Sequence, residues 1–132
     1  MTHSQKPILL LHSDAELRGK ISSKLSEFGY RILPADTLEA AVQISINYNH
    51  LLQAILADTP LLAAEHYHRN AGSPTVAVLL GACKTDTETN LAQQLGIHRI
   101  VNNPRDMRSV EEAVERALEQ YQHVTDLASR AK

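Results

Sequence analysis

Five short apolar segments, separated by stretches with helical periodicity, constrain the fold of this chain more than any other feature. The segments occupy residues 8–11, 30–33, 54–57, 76–80 and 100–101. Uninterrupted apolar runs of this length are typical of strands covered on both faces, as in a parallel sheet. The second segment alternates apolar and polar residues, which predicts a strand near the edge of the sheet. Strands that alternate with helices predict an α/β domain with right-handed crossovers and helices on both faces.

The stretches between the apolar segments carry the signals of helix starts and ends. The first helix is predicted from a stripe of Leu17, Ile21, Leu25 and Phe28. Ser13 or Asp14 is placed to cap its start, and Gly29 is placed to end it. Three further starts are predicted from capping-box spacing, in the pairs Asp36 and Glu39, Thr85 and Glu88, and Ser109 and Glu112.

The last two helices before the carboxyl end and one short middle helix complete the pattern. Gly96 is placed to end the helix that starts near Thr85. Residues 61–70 predict a short third helix. The final helix has the clearest apolar stripe, formed by Val110, Ala113, Val114, Ala117, Leu118 and Tyr121.

Length and composition narrow the class of protein. The chain has 132 residues, 43% of them hydrophobic, which predicts one globular domain over residues 1–125, with 126–132 as a helix extension or the start of a linker. A formal net charge of −2 and 4% aromatic residues disfavour binding to nucleic acid or to an anionic membrane. Cys83 is the only cysteine, so the chain cannot form an intrachain disulfide, and we expect a cytoplasmic protein. Cys83 has no neighbouring base and is expected to be an ordinary loop cysteine.

Candidate site residues follow four of the apolar segments, at the strand ends where ligands gather in parallel sheets. They are His12-Ser13-Asp14, then Asp58-Thr59-Pro60, then Gly81-Ala82, and finally Asn102-Asn103-Pro104. No glycine-rich loop follows the first strand, which disfavours a dinucleotide or P-loop site. His66 and His68 lie two residues apart, a spacing that does not suit a metal site on a helix, and we expect them, with the distant His50, to be surface residues.

In this order along the chain, the segments and strand ends resemble the receiver domains of two-component response regulators. The matching pieces are residues 10–17, Phe28-Gly29-Tyr30, residues 54–58, Gly81-Ala82, and Asn103-Pro104 in place of the family's Lys-Pro. The resemblance covers nearly the whole chain. It implies a flavodoxin-like (βα)5 three-layer sandwich with a five-stranded parallel sheet in the order 2-1-3-4-5.

The same resemblance implies a phosphorylation site from which most parts are missing. Asp58 matches the family's phosphoacceptor aspartate. The two acidic residues that hold Mg²⁺ are replaced by His12 and Ser13, and Gly81 stands where a hydroxyl binds the phosphoryl oxygen. The family's lysine is replaced by Asn103, before Pro104, and its aromatic switch residue by Ile100.

These replacements remove the cations on which phosphoryl transfer depends. Positive groups neutralise the charge that develops on the transferred oxygens, and neither the metal site nor the lysine is present for Asp58. The chain from Asp58 to Gly81 is also several residues shorter than the family pattern. We therefore expect a degenerate receiver that is not an enzyme and needs no cofactor. The alternative is a working receiver that accepts a phosphoryl group on Asp58, with Mg²⁺ held weakly by Asp14 and Asp58.

Two neighbours of Asp58 have alternative roles. Asp14 is either the N-cap of the first helix or a lone metal ligand beside Asp58. His12 either faces Asp58 as a replacement cation, which would make a pH-sensitive pair, or is a neutral imidazole that hydrogen-bonds to the backbone.

The resemblance also implies protein partners: a histidine kinase, an output domain or a regulator. In the family, the fourth helix, fifth strand and fifth helix form the dimer or partner face. Here that face would draw on residues 91–94, 98–101 and the exposed side of 108–121. An unrelated flavodoxin-like enzyme or cofactor binder is the remaining alternative, although the sequence shows no nucleophile and base for it.

Overall fold

A computed structural model describes residues 6–48, 51–71, 74–81, 85–95, 97 and 99–130, with side chains as far as residue 121. Strands and helices alternate in the order β1 (Pro7–Leu11), α1 (Ala15–Glu27), β2 (Arg31–Ala35), α2 (Leu38–Tyr48), β3 (Ala54–Ala57), α3 (Leu61–Arg69), β4 (Val76–Leu80), α4 (Asp86–Gln94), β5 (Arg99–Val101) and α5 (Met107–Arg130). Every predicted strand and helix is present, and the short third helix over residues 61–70 is confirmed. Gly96, predicted to end the fourth helix, lies outside the described residues.

The five strands form one parallel sheet in the order β2-β1-β3-β4-β5. This confirms the flavodoxin-like three-layer sandwich and the position of β2 at an edge. Strand β2 is only partly covered, whereas β1 and β3 are buried along their whole length. The central strands are therefore the ones with uninterrupted apolar sequences, because both of their faces contact helices.

The sheet separates two apolar layers. Ile8 and Leu10 point to the side of α1 and α5, while Leu9 and Leu11 point to the side of α2 and α3. On the first side, the stripe of α5 packs against the sheet, and Val110, Val114, Ala117 and Tyr121 are buried. The Tyr121 hydroxyl accepts a hydrogen bond from Lys6 Nζ at 2.8 Å, which joins α5 to the start of β1.

Helix α1 begins at one of the two predicted caps. The Asp14 carboxylate accepts hydrogen bonds from the backbone amides of Glu16 and Leu17. Gly29 follows the helix with φ of 90°, a left-handed conformation that favours glycine. The prediction that Phe28 joins the buried stripe is wrong. Phe28 is 55% exposed, because α1 ends at Glu27 and the chain has already turned at this point.

Two of the three predicted capping boxes are misplaced. Helix α2 is capped by Thr37, whose Oγ1 accepts from the amide of Ala40, and not by Asp36. Helix α5 begins at Met107, because Asp106 accepts hydrogen bonds from the amide of Arg108 and the hydroxyl of Ser109. The observed cap Thr37 is adjacent to the predicted cap Asp36, and the observed cap Asp106 lies three residues before the predicted cap Ser109. In both helices, the two residues can each bond the free amides at the helix start.

The third predicted start is correct. Thr85 has an extended backbone, and its Oγ1 accepts from the amide of Glu88 at 3.1 Å. The side chain of Glu88 bonds elsewhere, because its Oε2 accepts from the Thr59 hydroxyl at 3.2 Å. This bond joins the loop after β3 to α4.

The expectation that His66 is a surface residue is wrong. His66 is completely buried between α2 and α3, where its Nδ1 shares a hydrogen bond of 2.8 Å with Ser45 Oγ. It lies four residues after the buried Leu62, and side chains at this spacing share a helix face. His68 is exposed, as expected, and His50 lies outside the described residues.

None of the helices in the described part of the chain is long and apolar enough to cross a membrane. Helix α5 continues without a break past residue 125, where the predicted domain boundary lies.

Candidate functional site

The carboxyl ends of β1 and β3 bring His12, Ser13 and Asp58 together. The two strands are neighbours in register, with Leu11 paired to Ala57, so the residues that follow them meet at one edge of the sheet. The amide of Asp58 donates to the carbonyl of Leu11 at 3.2 Å, which fixes the start of the β3–α3 loop. Of the strand-end residues predicted for the site, the structure thus brings His12 and Ser13 to Asp58.

Ser13 provides the hydrogen-bond donors of Asp58. Its backbone amide and its hydroxyl both donate to Asp58 Oδ2, each at 3.1 Å. Two uncharged donors thus contact one oxygen of the carboxylate, whose side chain is 20% exposed. Hydrogen bonds of this kind stabilise an ionised carboxylate without neutralising its charge.

His12 lies beside Asp58 and hydrogen-bonds to the backbone of the same loop. Its Nδ1 is 4.0 Å from Asp58 Oδ2 and accepts a hydrogen bond from the amide of Asp14 at 3.1 Å. The hydrogen bond to the backbone is the contact expected for the second of the two roles considered for His12, whereas the 4.0 Å separation from Asp58 Oδ2 is longer than a hydrogen bond.

Asp14 is directed toward helix α1 and not toward Asp58. One carboxylate oxygen, Oδ1, caps the helix, and the other, Oδ2, accepts from Arg105 NH2 at 3.0 Å. The pKa of Asp14 is lowered from its ordinary value of 3.8, because the amide of Leu17 and the guanidinium of Arg105 favour the charged form. Both oxygens thus have other partners, and within the described residues no group of three acidic, histidine or cysteine side chains is placed to hold a metal ion.

Arg105 and Arg18 are two cations near the site that the sequence interpretation missed. Arg105 pairs with Asp14 across the gap between the β1–α1 and β5–α5 loops. Arg18 NH1 donates to the carbonyl of His12 at 2.7 Å, which holds the β1–α1 loop from the helix side. A signal for Arg105 was present in the sequence, since it directly follows Pro104, two residues after the position of the family's lysine.

Gly81 ends β4 in a conformation that favours glycine. Its φ is 101°, and its amide donates to the carbonyl of Val101 at 2.6 Å, across to β5. A Cβ placed there would meet no atom within 4 Å, so the backbone conformation and not crowding disfavours a side chain. The next residues, Ala82 and the lone cysteine Cys83, lie outside the described residues.

Asn103 forms a turn ahead of α5 and is exposed. Its Oδ1 accepts from the amide of Arg105 at 3.3 Å, and its carbonyl accepts from the amide of Asp106 at 3.0 Å. Pro104 lies within this turn. The Asn103 side chain is thus used locally, and no hydrogen bond joins it to Asp58 among the described residues.

Ile100 lies on the outer strand β5, apart from the Asp58 cluster, and is 45% exposed. It borders a shallow groove of about 430 Å³ between β5 and α5, lined also by Arg99, Asn102, Glu112 and Arg116. Part of the predicted partner face is therefore an open surface lined both by the apolar Ile100 and by charged residues. His98, which was also assigned to that face, lies outside the described residues.

Comparison with solved structures shows the fold. The chain is similar to a protein described as adenylate cyclase from Rhodopirellula baltica, with 18% identity and a TM-score of 0.81 over 96% of this chain and 97% of that one. It is similar to the signal receiver domain of an HD domain-containing protein from Pseudomonas fluorescens Pf-5, with 21% identity and a TM-score of 0.78 over 96% of both chains.

A third similar structure is the chemotaxis protein CheY4 of Vibrio cholerae, with 13% identity and a TM-score of 0.73 over 86% of this chain and 99% of that one. At these identities the likeness establishes a receiver-type fold and leaves the chemistry to the residues of the site. No protein-family model matches the chain, and no curated protein matches it.

Proposed function

We propose that this chain is a receiver-type module of two-component signalling that acts by binding a protein partner, without efficient phosphorylation of Asp58. One observation carries the proposal: Asp58 Oδ2 is held by the amide and hydroxyl of Ser13, where a working receiver needs a divalent cation. Phosphoryl transfer to a carboxylate brings two negatively charged groups together, and positive charge is needed to stabilise the transition state.

The surrounding residues support the same proposal. His12 has its acceptor nitrogen toward Asp58, Asp14 is bonded to α1 and Arg105, and Asn103 is bonded within its own turn. Gly81 has no hydroxyl to bind a phosphoryl oxygen. We therefore propose that the chain has no enzymatic activity of its own and requires no Mg²⁺.

The second candidate function is a receiver that is still phosphorylated on Asp58. The carboxylate is 20% exposed at the end of a strand, so a small phosphodonor could reach it. Incubation with acetyl phosphate and Mg²⁺, followed by measurement of the intact mass, separates the two functions. We expect no added phosphate. A phosphate that appears in the native chain and is absent from Asp58→Ala would establish the second function.

A matched variant shows that this assay can detect a restored site. Replacing His12 and Ser13 by aspartate returns the two acidic residues that the family uses for Mg²⁺. If this double variant gains phosphate while the native chain does not, the missing metal site explains the lack of reaction. Native mass spectrometry of the same samples also tests the remaining alternative, a bound cofactor.

The proposed partner face is formed by α4, β5 and α5. Its partner in the cytoplasm is a histidine kinase, an output domain, a regulator or a second copy of the chain. Ile100 is a large hydrophobic residue of this face and is 45% exposed. Sedimentation velocity of the native chain and of Ile100→Asp tests a homodimer there. We expect any dimer of the native chain to dissociate in the variant.

A further inference from the structure

A second surface, on the other side of the sheet from α5, has the features of a docking groove. It lies between α2 and α3, has a volume of about 500 Å³, and is lined by Leu38, Glu39, Val42, Leu61, Ala64 and Glu65. Its volume falls within the range of about 300–1,000 Å³ that is typical of protein pockets for ligands. We call it the α2–α3 groove.

Leu61 is an apolar residue that lies outside the buried core. It is 45% exposed, whereas the next residue, Leu62, is completely buried in the sheet-facing layer. Leu38 and Val42 are partly buried against that same layer and leave part of their surface in the groove. The groove floor is thus a contiguous aliphatic surface from two helices, and contiguous exposed apolar surface is a mark of interaction sites.

The polar members of the groove are both acidic. Glu39 on α2 is exposed, and Glu65 on α3 is partly exposed. Neither carboxylate forms a salt bridge within 4.0 Å among the residues that the structure describes. Two unneutralised negative charges beside an aliphatic floor select a partner that brings positive charge.

The walls of the groove are held in place by a buried bond. Ser45 lies three residues after Val42 on α2, and His66 directly follows Glu65 on α3. Their side chains share the hydrogen bond of 2.8 Å that joins the two helices in the interior. A groove that is already formed in the free protein loses little conformational entropy when a partner binds.

We propose that the α2–α3 groove binds a helix of a partner protein that presents aliphatic residues one turn apart, flanked by lysine or arginine. Aliphatic side chains at this spacing form one stripe, which fits an apolar groove between two helices. The basic residues would face Glu39 and Glu65. The inference deepens the proposed function by assigning a partner chemistry, and it involves none of the residues around Asp58.

Two model peptides of about 18 residues, long enough to form a helix alone, test the proposal. Both carry leucine in the same helical stripe, and the other positions are lysine in one peptide and glutamate in the other. Each is titrated into the ¹⁵N-labelled chain and followed by NMR. We expect the leucine–lysine peptide to shift the amide signals of residues 38–42 and 61–65, and the leucine–glutamate peptide to leave them unchanged.

Two pairs of matched variants locate the binding. Reversing both charges of the groove, with Glu39→Lys and Glu65→Lys, should lower the affinity for the leucine–lysine peptide by about tenfold or more. The matched double variant on α5, Glu115→Lys with Glu119→Lys, should leave this affinity unchanged. Leu61→Asp should also lower the affinity for this peptide. Ile100→Asp, at an equally exposed position, should leave the affinity unchanged.

Three results would overturn the proposal: shifts that cluster on the acidic residues of α5, equal binding of the two peptides, or self-association of the chain that Leu61→Asp abolishes. The last result would assign the groove to a second copy. Because the mass measurement on Asp58 uses no peptide, failure of either proposal is seen independently of the other.

Discussion

At the scale of single residues, Ser13 determines the environment of Asp58. Replacing Ser13 by alanine removes the hydroxyl donor and keeps the amide donor. A hydrogen bond to a partly exposed carboxylate contributes about 0.5–1 kcal/mol, so we expect the free energy of unfolding to fall by that amount. Urea unfolding of Ser13→Ala and of Ser23→Ala, an exposed serine of α1, provides the comparison. Equal stability of the two variants would contradict a role for the Ser13 hydroxyl.

Asp14 stabilises the fold more when its carboxylate is charged than when it is neutral. Its pKa is lowered in the folded state from 3.8, first by the amide of Leu17 and also by Arg105, so its contribution is present above pH 3.8 and is lost as pH falls through the lowered value. Asparagine at this position keeps a cap and removes the charge. At neutral pH, we expect the melting temperature of Asp14→Asn to lie below that of the native chain, and the melting temperature of Asp14→Ala to lie below that of Asp14→Asn.

The same experiment at acidic pH checks the cause. The difference in melting temperature between the native chain and Asp14→Asn should narrow as Asp14 is protonated. Arg105→Gln should resemble Asp14→Asn at neutral pH, since both variants remove the same ion pair. A difference that is independent of pH would show that the charge of Asp14 has no part in stability.

Gly81 and Gly19 give opposite predictions for the same substitution. Gly81 has φ of 101°, where a side chain costs about 1–2 kcal/mol, so we expect Gly81→Ala to lower the free energy of unfolding by that amount. Gly19 lies inside α1 with no atom within 4 Å of an added Cβ, and Gly19→Ala should stabilise the chain by about 0.5–1 kcal/mol. Denaturant unfolding of both variants checks the two signs. A destabilising effect of the same size in both would contradict the backbone explanation.

At the scale of helices and strands, the apolar pattern predicted which segments are regular, while local hydrogen bonds decided where they begin. Thr37 and Asp106 displaced the predicted caps Asp36 and Ser109, because several residues able to cap lie close together at each start. Sequence spacing alone does not distinguish between such neighbours. The burial of His66 follows from its spacing of four residues from Leu62, because side chains at this spacing share a helix face, whereas the spacing of two from His68 carries no information on burial.

The buried His66 between α2 and α3 predicts that the stability of the fold depends on pH. Burial lowers the pKa of His66 from its ordinary value of 6.5, so His66 stays neutral in the folded state while the unfolded chain takes up a proton. Stability is therefore full above pH 6.5 and falls as the pH is lowered, by at most about 1.4 kcal/mol per pH unit for this group.

Chemical denaturation from about pH 7.5 to about pH 5.5 measures this dependence, because histidine titrates in that range. We expect His66→Asn to show a smaller loss of stability on acidification than the native chain. His68→Asn, which changes an exposed histidine of the same helix, should retain the native dependence. Identical pH profiles for the native chain and His66→Asn would rule out the buried histidine as the cause.

At the scale of the whole molecule, the sheet order and the gathering of strand ends around Asp58 follow from connectivity. Parallel strands of an α/β domain direct their carboxyl ends to one edge, so His12, Ser13 and Asp58 were expected to meet. The partners within that edge depend on side-chain rotamers and on the curvature of loops. For this reason neither the two bonds from Ser13 nor the pair of Arg105 and Asp14, 91 residues apart, was visible in the sequence.

The predicted domain of residues 1–125 can be tested by shortening α5. The last described core residue on this helix is Tyr121, which is 6% exposed and bonded to Lys6. A chain of residues 1–125 keeps this contact and should have a melting temperature close to that of the full chain. A chain of residues 1–119 lacks Tyr121, and burial of an aromatic side chain is worth several kcal/mol, so it should melt at a much lower temperature. Calorimetry of the three chains measures the difference, and equal melting of all three would contradict a core role for Tyr121.

The length of α5 has a mechanical consequence. The helix has 24 residues and is about 36 Å long, and Tyr121 is the last residue on it that the structure describes as buried. Nine residues of the helix follow Tyr121 up to Arg130, which is about 13 Å of axial rise. A tilt of α5 about its buried contacts with the sheet would therefore move Arg130 further than Val110.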